Sequence, residues 1–192
     1  MIISLKQNFI FYHIPKTAGS SIISALQKYN DIDIIDFKNK VPKETQLHHI
    51  NRPLVENLIK LPENLLEFTV VRNPLDRLIS LYKFTQKYKN FPKESFSKFI
   101  QKHLPAYYDT KSYEDIFFGS QLNWITAKVQ IIKFEELIKD PIKSLNDIGI
   151  SIDYFPHENQ STDGDSFNIT NDQKDFCLRY LEKEYKILNY KG

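Results

Sequence analysis

The stretch Phe9-Ile-Phe-Tyr-His-Ile-Pro-Lys-Thr-Ala-Gly-Ser-Ser-Ile-Ile23 decides the fold. Residues 9–14 form a nearly unbroken apolar run of aromatic and β-branched side chains, the pattern of a buried strand. Pro15 to Ser21 follow at once, and Ile22, Ile23, Leu26 and Tyr29 then fall at helical spacing. Strand, tight loop and helix in this order open an α/β domain. The same stretch implies a chemistry. A helix start offers unpaired backbone N–H groups and a partial positive charge, which together attract anions. Gly19 allows close backbone approach, Thr17, Ser20 and Ser21 add hydroxyls, and Lys16 adds a full charge. The loop suits a phosphate or sulfate. It is not a Walker A loop, because its lysine precedes the glycine. An ordinary serine-capped helix start uses the same residues, so the loop alone leaves both readings open.

A second strand-to-helix junction lies further along. Glu67 to Val71 reads as a buried strand, Asn73 as a helix cap and Pro74 as the first helical residue. Leu75, Leu78, Ile79 and Tyr82 make the apolar face of that helix. Asn73, Asp76, Arg77 and Ser80 are expected on the opposite, polar face. Arg72, at the strand end, and Ser80 can converge on one phosphate, for which the arginine fork is well shaped. A capped helix with a solvated face is the plainer reading of this junction.

Other elements are local. The alternation Asp31-Ile-Asp-Ile-Ile-Asp36 predicts a strand, and Val129 to Phe134 predicts another. Asn51 with Pro53 starts a helix whose buried stripe is Leu54, Val55, Leu58 and Ile59. A helix is expected around Phe96, Phe99 and Ile100, within an aromatic, irregular stretch from Tyr88 to Trp124. Asp140-Pro141 opens a short helix through Leu145 that Gly149 ends. Residues 156–169 read as loop. Thr170 and Gln173 form a capping box for a final helix carrying Phe176, Tyr180, Leu181 and Leu188. The expected architecture is a single α/β domain over residues 1–192, a central parallel sheet with helices on both faces. Ligands of such sheets bind beyond the carboxyl ends of the strands, here at loops 15–21 and 72–74.

Composition narrows the classes. The chain has 192 residues, 41% hydrophobic and 14% aromatic, enough for a full core. A net charge of +2 argues against bulk binding of nucleic acid and leaves room for a local basic pocket. The single cysteine, Cys177, excludes an intramolecular disulfide and a zinc cluster. Residues 1–7 lack a targeting pattern, and no apolar run reaches the ~20 residues of a membrane span, so a cytoplasmic protein is expected.

Taken together, the two junctions resemble a known family. Tyr12 to Ser21 is similar to the 5'-phosphosulfate loop of sulfotransferases that use PAPS (3'-phosphoadenosine-5'-phosphosulfate). Val71 to Tyr82 is similar to their 3'-phosphate motif. The resemblance is to the carbohydrate branch, the enzymes similar to heparan sulfate 2-O-sulfotransferase. His48-His49, Lys133 to Leu137, Pro156 to Ser161 and Glu184 to Tyr190 also look like family segments, so the resemblance spans nearly the whole chain.

It implies a sulfotransferase fold of P-loop-like type and a set of roles. Lys16 would stabilise the departing phosphate. The backbone from Thr17 through Ala18 and Gly19 to Ser20, with the hydroxyls of Thr17, Ser20 and Ser21, would hold the 5'-phosphate. Arg72 and Ser80 would hold the 3'-phosphate. His49 matches the base of the 2-O enzymes, with its neighbour His48 one register away and His13 and Glu135 as further candidates. Gln160 stands where the family carries a basic residue. The donor would be PAPS, the product PAP (adenosine 3',5'-bisphosphate), the acceptor a saccharide or glycolipid hydroxyl, and no metal is called for. Aromatic residues between Tyr88 and Trp124, including Tyr113 and Phe117, are candidates for an acceptor wall or for core. A P-loop-like nucleotide kinase and a non-catalytic nucleotide-binding module are the competing classes.

Overall fold

A computed structural model describes residues 1–41, 46–88, 91–109, 118–156, 158 and 167–192. In chain order the strands and helices are β1 (Ile2–Ser4), β2 (Phe9–Tyr12), α1 (Gly19–Leu26), α2 (Arg52–Leu58), β3 (Leu66–Val71), α3 (Pro74–Lys87), α4 (Phe96–Leu104), β4 (Val129–Lys133), α5 (Phe134–Leu137), α6 (Pro141–Asn146) and α7 (Asn171–Ile187). Contacts divide the chain into two compact units, Met1–Val71 with Gln121–Gln160, and Arg72–Ser120 with Ser161–Gly192.

The first unit is built on the sheet, in the order β1-β2-β3-β4. β2, β3 and β4 are parallel, as the strand-loop-helix reading expects. β1 is an antiparallel edge strand, which makes the sheet mixed. Its three residues are too few for any sequence pattern, and it pairs with β2 across a short turn in which Asn8 has a φ of 58°. Alternation along the strands sorts two faces. Phe9, Phe11, Phe68, Val70 and Ile132 pack with Ile22 and Leu26 of α1, Leu137 of α5 and Leu145 of α6. On the other face the buried carboxylate of Glu67 accepts from Tyr12 Oη at 2.8 Å and from Arg52 Nε at 2.7 Å. This network ties the start of α2 to the sheet, and burial with Glu67 pushes the Tyr12 hydroxyl well above its ordinary pKa.

The strand expected over residues 31–36 is instead a 3₁₀ segment, Ile34–Lys40. Alternation alone does not make a strand; a sheet edge must accept it. Asp31 shows what pulls this segment away. Its backbone N–H donates to Ile3 O, and its carboxylate accepts from Lys6 N at 2.7 Å and Ser4 Oγ at 3.2 Å. The residue closes off the β1–β2 turn rather than continuing a ladder.

The second unit is helical. Leu78 and Leu81 of α3, Phe96, Phe99 and Leu104 of α4, and Cys177 and Leu181 of α7 share its core. Helix starts follow local chemistry. Asn51, Asp140 and Ser95 each accept from the backbone N–H three residues on, and Thr170 with Gln173 makes a complete capping box. Of the aromatic stretch, Phe96, Phe99 and Phe118 are core. Trp124 is buried in the first unit, and Tyr113 and Phe117 lie outside the described residues.

Candidate active site

The loop after β2 carries most of the expected donor site. His13 ends the strand run, and Thr17 Oγ1 donates to Ile14 O at 2.8 Å, which folds the loop back on itself. Lys16 and Ala18 stand at φ 69° and 65°, in the left-handed region that side-chain-bearing residues rarely occupy. Two such residues flanking Thr17 are a strained arrangement of the kind found at binding loops. α1 then starts at Gly19. Ser20 is exposed, and Ser21 is buried with its Oγ accepting from Glu158 N at 2.9 Å, so its own proton remains to be donated.

Gly19 has a reason beyond loop flexibility. A Cβ built there would lie 1.8 Å from Cδ2 and 2.0 Å from Nε2 of His13. The close approach that the glycine permits is therefore to an imidazole of the same unit. That imidazole is 8% exposed and stacks on Phe11 with ring centroids 6.1 Å apart. Its Nδ1 is buried with no hydrogen-bond partner. Burial, with His49 next in weight, holds His13 well below the ordinary histidine pKa, so its ring is neutral.

His49 lies against it. The ring centroids of His13 and His49 are 4.2 Å apart, and His49 Nδ1 is 2.9 Å from the carbonyl oxygen of His13. A carbonyl only accepts, so Nδ1 carries the hydrogen and Nε2 is the proton-accepting nitrogen. The backbone of His49 is held too, since Trp124 Nε1 donates to His49 O at 3.0 Å. His48 is exposed, and Glu135 is exposed in the first turn of α5. The first unit thus brings His49 together with the loop Lys16–Ser21 and leaves Glu135 on the surface. Of the 156–161 segment, only Pro156 and Glu158 are described; Gln160 lies outside the described residues.

The second unit holds the other expected donor residues. Arg72 follows β3 directly, and Ser80 lies within α3; both are half-buried. Asn73 caps α3 as expected, accepting from Leu75 N at 3.0 Å and Asp76 N at 3.3 Å. It also accepts from Tyr185 Oη at 3.0 Å, an anchor from α7. Arg77 departs from the expected polar face. It is 3% exposed and donates to Gly119 O at 3.1 Å. Nearby in charge is the buried Glu184, whose carboxylate accepts from Tyr108 Oη at 2.6 Å. Arg77 is part of the core because a buried carboxylate and a carbonyl offset its desolvation.

Sequence reasoning missed the parts played by Trp124 and by the His13 carbonyl. A backbone carbonyl has no sequence signal, and a lone tryptophan reads as core. Among the described residues no cluster of three or more His, Cys, Asp or Glu side chains is arranged for a metal, and no helix is long and apolar enough to cross a membrane.

Comparison with known proteins adds the family. Among solved structures, a sulfotransferase from Alicyclobacillus acidocaldarius matches with a TM-score of 0.55 and 16% identity, covering 96% of each chain. A mouse sulfotransferase, SULT7A1, solved with PAP, matches with a TM-score of 0.47 and 17% identity, over 93% of this chain and 65% of that one. The search of curated proteins finds no match. The model of the Sulfotransferase family matches residues 1–190, nearly the full length, and the α/β architecture with its loop after β2 agrees with it: the chain belongs to the sulfotransferase family.

Proposed function

We propose that the protein transfers the sulfuryl group of PAPS to a hydroxyl, on a saccharide or glycolipid. The acceptor oxygen attacks sulfur, the bond from sulfur to the bridging oxygen breaks, and PAP leaves with the electron pair on its 5'-phosphate. His49 Nε2 takes the acceptor proton. Lys16 offsets charge on the departing phosphate, and the backbone from Thr17 to Ser20 with the hydroxyls of Ser20 and Ser21 holds it. Arg72 and Ser80 hold the 3'-phosphate. This is chemistry by positioning and charge stabilisation, without a covalent enzyme intermediate. The family match takes in residues 1–190, and so both the Lys16–Ser21 loop and the Arg72–Ser80 segment.

The observation that carries the reading is the Nδ1 contact of His49 with the His13 carbonyl, at 2.9 Å, beside the donor loop. It selects the tautomer a base needs. The carbohydrate class of acceptor rests on the resemblance of residues 12–21 and 71–82 to the 2-O enzymes. Two measurements test the proposal. PAP should raise the melting temperature more than AMP, because native-state binding stabilises by mass action and only PAP has a 3'-phosphate. Labelled PAPS should transfer its label to at least one member of a saccharide and glycolipid panel. Equal shifts from PAP and AMP would remove the 3'-phosphate assignment.

A further inference from the structure

We infer that His13 donates a hydrogen bond from Nε2 to the sulfuryl group of the bound donor, acting as a neutral partner to Lys16. The inference rests on the donor reading above and gives a role to a side chain that reading leaves idle.

His13 carries an orphaned polar atom. His13 is 8% exposed, and its Nδ1 is buried without a hydrogen-bond partner. A hydrocarbon ring would fill the same space without that penalty, so the nitrogen calls for an explanation. Burial keeps the ring neutral, which leaves one N–H and one lone pair to distribute. Burying an orphaned N–H is the rarer arrangement, whereas an unsatisfied acceptor is tolerated more often. The lone pair therefore belongs on Nδ1 and the proton on Nε2.

Nε2 stands over the donor loop. It occupies the space where a Cβ of Gly19 would be, 2.0 Å from that position. On its other side the ring meets His49, 4.2 Å between centroids. A sulfuryl group in transit has to lie between what holds the donor and what takes the acceptor proton. His13 joins those two in this unit, and all three parts, loop, His13 and His49, belong to it. A neutral donor there steadies an anionic group without adding a charge that would suppress the proton-accepting form of His49.

PAPS and PAP differ by the sulfuryl group, so the affinity of each for the purified protein is the test. His13→Phe keeps a ring and removes both nitrogens. His13→Gln places an amide N–H near the Nε2 position, and His13→Asn places one near Nδ1. Affinity for PAPS should fall on the order of 10- to 100-fold in His13→Phe, the usual range for a hydrogen bond to a charged group. Affinity for PAP should change little. His13→Gln should recover most of the PAPS affinity and His13→Asn should not. Unchanged PAPS affinity in His13→Phe, or equal loss of PAPS and PAP, overturns the inference. Should His13→Phe fail to fold, the remaining pair decides, and equal PAPS affinity in His13→Gln and His13→Asn overturns it. A wild-type protein that binds neither nucleotide would instead remove the donor reading itself.

Discussion

A histidine accepts a proton only at the ring nitrogen that does not already carry one. His49 meets this condition because its Nδ1–H is committed to a carbonyl of the donor-loop strand, while the exposed ring of its neighbour His48 makes no such bond among the described residues. His49→Ala should lower turnover by about 10²–10⁴-fold, the range for a general base, with the PAP-induced rise in melting temperature unchanged. Wild-type activity should also fall towards acid pH, as protonation removes the acceptor nitrogen. A dead His48→Ala beside an active His49→Ala would move the base by one residue. Lys16→Ala addresses the leaving group. It should cost roughly 10²–10³-fold in turnover while PAP binding weakens far less, since the charge it offsets peaks in the transition state. Normal turnover with weak donor binding would make Lys16 a binding residue only.

At the level of elements, the start of α1 is a conflict between propensity and packing. Alanine favours a helix over glycine by about 0.5–1 kcal/mol. Yet a Cβ on Gly19 would overlap the His13 ring, which is packed in place. Overpacking of this kind costs about 1–3 kcal/mol, so Gly19→Ala should lower the urea midpoint. Adding His13→Ala should restore part of the stability without restoring PAPS affinity. What was legible in sequence divides along the same line. The caps at Asn51, Asn73, Asp140 and Thr170 are contacts within three residues, and each formed as expected. The apolar runs of β2 and β3 stand out because both faces of those strands are covered. Residues 31–36 misled because alternation does not show what a segment bonds to: Asp31 donates to Ile3 O and its carboxylate accepts from Lys6 N in the β1–β2 turn, and the chain then winds into a 3₁₀ segment. Arg77 misled because helical spacing does not reveal a buried carbonyl 42 residues away. The loop Lys16–Ser21 was legible as an anion site, but not that Gly19 serves His13, a fact of three-dimensional packing.

For the molecule as a whole, Cys177 is a convenient witness. It is the single cysteine of the chain, wholly buried in the helical core, and burial pushes its thiol up to about 12. Thiol reagents at neutral pH should leave the native protein unlabelled and label it fully in denaturant; fast native labelling would contradict the packing of α7. The same burial gives a pH dependence. The unfolded chain releases this proton above about pH 8.5, whereas the native state retains it up to about 12. The contribution is therefore intact below pH 8.5, and alkali favours unfolding above it. The chain order of the two units has a further effect. β3 pairs with β4 in the register Val71↔Lys133, and the segment between them begins the other unit. On a ribosome, Leu66–Val71 emerges and then waits for roughly sixty more residues before its neighbour exists, an interval on the order of several seconds. Throughout it the nascent chain displays an apolar strand with an open edge, the sort of segment that chaperones bind and that aggregates when they do not. Soluble yield in a host cell should accordingly respond to translation speed and growth temperature more than the melting temperature of the finished protein would suggest.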